Sequence, residues 1–284
     1  MSPRPPDFAS LFAAGARHDF GRLRAGCVAT VRIKQAATLQ LPSGRLVACE
    51  PWSSFAEGAA DCAFTQRVEP GGYPVELIIA DFHDPGDPQD SARFSEVAGA
   101  RVVVRGEPVA AWRMALQPGE DDSDLAQDGF FGYPVDGGTG SFCSPEFLEG
   151  VSTLEVGEEL FEVVMDVVDA DDVGLYVDEA TGCNIVVFRS GGGDGHYGTW
   201  VGYTAAGEVA CFVTDFLTLT GRDGEELSDD PGSDRPTAGT PGQSAPAEPL
   251  VSGTKSTAVR PTAKAAKGVP ATPAGRRVPR SKPE

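Results

Sequence analysis

Two aspartates stand inside glycine-rich loops. Asp136 opens Asp136-Gly137-Gly138-Thr139-Gly140, and Asp194 lies within Gly191-Gly192-Gly193-Asp194-Gly195. Glycine lets backbone turn tightly, so carbonyl oxygens and a carboxylate can converge on one point. That is the chemistry of a divalent cation or a small polar ligand. Thr139 adds a hydroxyl to the first loop, and Tyr197 and Trp200 follow the second as aromatic walls. Asp136, Thr139, Asp194, Tyr197 and Trp200 are therefore the candidate ligand-binding set, with Asp136 and Asp194 as the metal pair. The plainer reading is that each aspartate satisfies the amides of its own loop. No linear calcium loop supports a cation. Counted from Asp169, the fifth and twelfth positions are Val173 and Ala180, where oxygen ligands are required. No cofactor is expected beyond such a divalent cation.

Other motifs fail on mechanism. Gly193-Asp194-Gly195-His196-Tyr197-Gly198 fits G-x-G-x-x-G, and Asp215 lies twenty residues past Gly195. A dinucleotide phosphate must sit on a helix N-terminus. Here Thr199, Trp200, Val201 and Gly202 follow, and such residues disfavour a helix. Ser190 lacks the first glycine of a nucleophile elbow. Cys143, His196 and an aspartate can be drawn as a triad, but sequence distance gives them no geometry. His18, His83 and His196 are far apart, and no paired-cysteine spacing points to zinc.

The elements that position these residues read as short strands. Asp7 caps a helix through about Ala14, with Phe8, Leu11 and Phe12 on one face. Val28 to Ile33 and Thr38 to Leu41 are strands, and Pro42-Ser43-Gly44 turns the second back into Arg45 to Cys49 as a hairpin. Phe64 to Val68 and Tyr73 to Phe82 flank Glu69-Pro70-Gly71-Gly72. Val97 to Arg105 and Val109 to Leu116 form a further hairpin across Gly106-Glu107. Phe130 to Val135 is a short strand. Ser144 and Pro145 start a helix that turns Phe147 and Leu148 inward. Leu160 to Val168 has helical spacing at Leu160, Phe161, Val164, Met165 and Val168. Cys183 to Phe216 holds the densest pattern, a three-strand β unit whose glycine loop pairs with the one at Asp136. The fold class expected is mainly β and antiparallel, a two-sheet sandwich or curled sheet with two or three short helices. Residues 1–6 are expected to be disordered and residues 7–220 to form one domain. Residues 221–284, rich in Pro, Ala and Thr, are expected to be a disordered tail.

Charge narrows the partners. The first 249 residues hold 15 basic and 41 acidic residues, a net charge of −26. Such a body repels phosphates, so nucleic acid is not expected there and a basic protein partner is favoured. The eight basic residues from Lys255 to Lys282 give the tail a weak case for nucleic acid. No run of about 18 apolar residues offers a membrane span. MSPRPPDFAS does not read as a secretory signal. Six scattered cysteines read as reduced, mostly buried thiols, so a cytoplasmic location is expected.

Four segments carry a family resemblance. They are Leu41-Pro42-Ser43-Gly44-Arg45-Leu46-Val47-Ala48-Cys49-Glu50-Pro51, Pro70-Gly71-Gly72-Tyr73-Pro74-Val75-Glu76, Tyr133-Pro134-Val135-Asp136-Gly137-Gly138-Thr139-Gly140, and Gly193-Asp194-Gly195-His196-Tyr197 through Asp215-Phe216. Together they resemble the bacterial domain-of-unknown-function 4241 family, across most of residues 25–218. The family often has Asp at the place of Glu50 and an aromatic at that of Gly192. The resemblance implies a soluble bacterial domain and no known activity. The function expected is a non-catalytic binding or protein-interaction domain, regulatory or toxin-neutralising. The alternative is a metal-binding or small-ligand protein, or a hydrolase, working through the Asp136 and Asp194 loops.

Overall fold

The computed structural model describes residues 3–20, 27–52, 59–84, 92–151, 154–169 and 172–220. The tail expected beyond residue 220 lies outside them. The chain runs α1 (Phe8–Leu11), β1 (Arg17–Asp19), β2 (Val28–Leu41), β3 (Val47–Cys49), β4 (Gly71–His83), β5 (Phe94–Val103) and β6 (Ala111–Met114). Then come β7 (Gly132–Val135), β8 (Thr139–Cys143), α2 (Pro145–Gly150), α3 (Leu154–Asp169), β9 (Val173–Val177), β10 (Asn184–Arg189), β11 (Gly195–Tyr203) and β12 (Val209–Asp215). The strands form two antiparallel sheets. The large sheet runs β1-β2-β4-β5-β12-β11-β6, with β7 also beside β11. The small sheet runs β3-β8-β10-β9. Among the described residues no helix is long and apolar enough to cross a membrane.

Strand alternation explains three apolar layers. Leu39, Leu77, Ile79, Val201 and Phe212 of the large sheet meet Ala48, Phe142, Val186 and Phe188 of the small one. On the other face of the large sheet, Val31, Ile78, Trp200 and Val213 pack under Phe8 and Phe12 of α1. On the other face of the small sheet, Val47, Cys143, Ile185 and Val187 pack under Phe147, Leu160, Val164 and Val167 of α2 and α3. Both caps form as expected. The Asp7 carboxylate accepts from the Ser10 amide, and Ser144 Oγ accepts from the Phe147 amide at 3.2 Å. The first helix is shorter than expected. In α3, Phe161 and Met165 turn outward.

Several local expectations are corrected. Pro42-Ser43-Gly44 does turn the chain, with the Gly44 amide donating to Leu41 O at 3.1 Å. It does not make a hairpin: β2 belongs to the large sheet and β3 to the small. Val47, Ala48 and Cys49 are all buried, as befits a strand covered on both faces. Val28 to Leu41 is one strand, with a bulge between Gln35 and Ala37. Phe64 to Val68 forms no strand, only a bridge between Arg67 and Arg45. Gly71 and Gly72 lie inside β4, opposite Leu41 and Gln40. β5 and β6 are not partners either. The hairpin of β11 and β12, closed by the tight turn at Thr204–Glu208, inserts between them. The seven residues from Val104 to Ala110 must span three strand spacings, about 14 Å, well within their reach of about 24 Å. Finally, β10 belongs to the small sheet, so the three-strand unit of Cys183 to Phe216 is divided between two layers.

All six cysteines are free thiols and five are buried. Burial pushes the Cys211 thiol up to about 11 and the Cys143 thiol well above its ordinary value.

Candidate functional site

The two glycine loops come together because each carries the chain between the sheets at the same place. β7 pairs with β11 through Val135 and Gly195, and β8 pairs with β10 through Thr139 and Arg189. The loop after β7 and the loop after β10 therefore run side by side. The Ser190 amide donates to Gly138 O at 3.1 Å. Each loop is also braced from below. Glu50 Oε1 accepts from the Asp136 amide at 2.8 Å and from the Gly137 amide at 2.6 Å. The Tyr197 hydroxyl is shared between Gly193 O at 2.8 Å and Ser190 O at 3.1 Å. Ser190 Oγ donates to Gly193 O at 2.8 Å. Burial, with the negative charge of Asp194 and Glu96, raises the Tyr197 phenol above its ordinary value, against the Ser190 hydrogen bond. The phenol thus stays a donor.

The five residues expected to form a site are placed as follows. The Asp136 and Asp194 side chains are exposed on the paired loops. Thr139 is fully buried at the start of β8, its hydroxyl turned from solvent. Tyr197 and Trp200 sit on opposite faces of β11. Tyr197 points between the sheets and Trp200 toward α1. The carbonyls of Gly138 and Gly193, which a cation would need, already accept hydrogen bonds. Among the described residues no group of three or more His, Cys, Asp or Glu side chains is gathered to hold a metal ion. Cys143 is buried beneath the helices, whereas His196 is exposed in the large sheet. Replacing Tyr197 with Phe should therefore loosen the loop crossing and cost about 1–2 kcal/mol, read as a lower urea midpoint at unchanged slope.

A second place was not legible as a site. An open cleft of about 800 Å³ lies on the outer face of the large sheet. Its walls include Trp200, Phe130, Leu11 and Leu217, and its rim carries Arg4, Asp7 and Asp128. The Arg4 amide, in the segment expected to be disordered, donates to Gln127 O at 2.7 Å and helps fix one wall. The floor holds Asp215, the last residue of β12 and 3% exposed. Asp215 Oδ1 accepts from the Leu217 amide at 2.9 Å, and Oδ2 accepts from the Thr220 hydroxyl at 2.6 Å. Burial pushes the carboxyl up to about 6, even though both hydrogen bonds favour the charged form. Among the described residues none forms an ion pair with it. The turn beside it is strained: Leu217 has φ +60, a left-handed conformation that costs a non-glycine residue roughly 1–2 kcal/mol. The sequence signal was an acid inside the apolar run from Val209 to Phe216, where periodicity demands burial.

No curated protein and no solved structure matches the chain. One family model does, described as a protein of unknown function (DUF4241), over residues 39–214. The match takes in both glycine loops and stops one residue short of Asp215. With well over half of its length matched, the chain belongs to the DUF4241 family.

Proposed function

We propose that this domain works by binding, and that the cleft over Asp215 receives a positively charged group carried on an apolar stem. One observation supports this above all: a nearly buried carboxylate, without a cationic partner among the described residues, shares the lining of one cleft with Trp200 and Phe130. Aromatic faces and a desolvated carboxylate are complementary to an alkylammonium or guanidinium group. The described lining residues include Asp7 and Asp128 as further acids but no serine, cysteine, histidine or lysine, so no nucleophile paired with a histidine or lysine base stands beside Asp215. That favours recognition over hydrolysis. The cation could reach the cleft as a free amine or as a Lys or Arg side chain of a basic protein. The second source agrees with the acidic surface and with a regulatory or toxin-neutralising role.

Pentylamine, a lysine-containing peptide and neutral pentanol can be titrated against the protein by calorimetry. The amine or the peptide should bind, and affinity should rise about tenfold between pH 5 and pH 7 as Asp215 ionises. Asp215→Asn should abolish that dependence. Equal binding of pentanol, or undiminished binding to Asp215→Asn, would overturn the reading. Binding of the peptide alone would identify a protein as the source of the cation.

A further inference from the structure

Four of the described edge strands are guarded. β1 has three residues, with Arg17 and Asp19 at its ends. β3 is also short and wholly buried. β6 carries Arg113, and β7 carries Pro134. Such short, charged or proline-bearing edges resist pairing with other chains. β9 is the outer strand of the small sheet, bonded on one side to β10. Its sequence, Val173-Gly174-Leu175-Tyr176-Val177, has no charge, no proline and no bulge.

A second observation coincides with the first. The large apolar side chains most exposed on the described surface are Phe94, Phe161, Met165, Leu175 and Val177, and all but Phe94 belong to β9 or α3. α3 packs directly on β9, where Gly174 leaves room for Val163 and Val167. Val173 joins the core between the sheets, but Leu175 and Val177 are 44% and 45% exposed. The strand therefore leaves the core as an open apolar edge.

Charge selects the occupant. Residues 154–179 contain ten Asp or Glu and no Lys or Arg. A second copy pairing through β9 would set ten acids against ten. We infer that β9 is a docking edge for an extended segment of a basic partner protein, one with alternating apolar residues flanked by Lys or Arg. The segment adds a fifth strand to the small sheet. Main-chain hydrogen bonds supply affinity, Leu175 and Val177 meet its apolar side chains, and the α3–β9 acids meet its flanks. This surface shares no residue with the cleft, so the two readings stand or fall separately.

The test uses the full chain and a synthetic peptide, Lys-Lys-Val-Thr-Ile-Thr-Val-Lys-Lys, in about 0.15 M salt, where diffuse attraction is screened. Two further peptides of identical sequence and charge carry N-methyl groups on alternate amides, each set blocking one edge of the strand. Fluorescence anisotropy should show saturable binding of the parent peptide. It should be weakened about tenfold or more in one methylated form and little in the other, because only one edge pairs. Leu175→Lys and Val177→Lys, both at exposed positions, should weaken binding similarly while leaving the melting temperature unchanged. Three results overturn the proposal: equal affinity for all three peptides, undiminished binding to both folded variants, or sedimentation of the protein alone as a dimer that Leu175→Lys dissociates. The last would make the occupant a second copy.

Discussion

Asp215→Asn should make the protein more stable at neutral pH. In the folded state the carboxyl titrates at about 6, above its ordinary value of 3.8. Between those values the folded protein binds more protons than the unfolded chain. The contribution of this group is therefore fully present below about pH 4 and is lost as pH rises through 6. About two units correspond to a loss on the order of 2–3 kcal/mol. Asparagine keeps an acceptor for the Leu217 amide and can donate to Thr220 Oγ1, so the turn survives the change. The stability difference between variant and wild type should be small at pH 4, grow through pH 6 and level off above it. A difference that stays flat with pH would show that Asp215 carries no desolvation penalty. Retention of a destabilising group at the floor of a cleft accords with the binding role proposed above, since activity and stability often trade against each other at such places. Leu217, strained in the same turn, points the same way.

Gly44→Ala should be the most damaging single change considered for this fold. Gly44 has φ +69, and a methyl group on it would lie 1.8 Å from the Val68 carbonyl oxygen. Val68 cannot withdraw freely, because its amide donates to Gly44 O at 2.9 Å. The substitution must pull apart the connection that feeds β3 into the small sheet. A loss of about 3 kcal/mol or more is expected, equivalent to roughly 10 °C in melting temperature. Gly207→Ala is the control. Gly207 has φ +80 in the turn between β11 and β12, with nothing within 4 Å of an added methyl. It should cost only about 1 kcal/mol, the backbone strain alone. Similar losses at both positions would show that strain, and not the close approach to Val68, governs Gly44.

Much of this fold can be read from local pattern. Alternation located most strands of the large sheet and β3 and β10 of the small one but not β1, β8 or β9, and Asp7 and Ser144 announced their helices. The glycine loops were read as strand connections, and the residues after Gly195 do form a strand. Partner choice was less legible. Pro42-Ser43-Gly44 and Gly106-Glu107 have the chemistry of turns between neighbours, yet neither joins paired strands. A turn fixes the direction of the chain, whereas pairing depends on which faces are buried, and that is a long-range property. The sites divide in the same way. Adjacency of the Asp136 and Asp194 loops follows from the register of β7 with β11 and of β8 with β10. Asp215 attracted notice as part of a nucleotide fingerprint and of a family segment, not as a site residue. Its importance comes from burial under the N-terminal segment and Trp200, which lie just over 200 residues and 15 residues away in sequence.

The insertion of β12 and β11 between β5 and β6 bears on how the chain emerges from the ribosome. When residues 1–194 have been made, β5 has β4 on one side and nothing on the other, while β6 has no partner at all. The large sheet cannot close until residues 195–215 have been synthesised. Because its pairings are so far apart in sequence, the nascent domain must hold Val97, Ala100 and Val102 without their final cover until then. The last of the described strands to be made are also those that complete the centre of the large sheet.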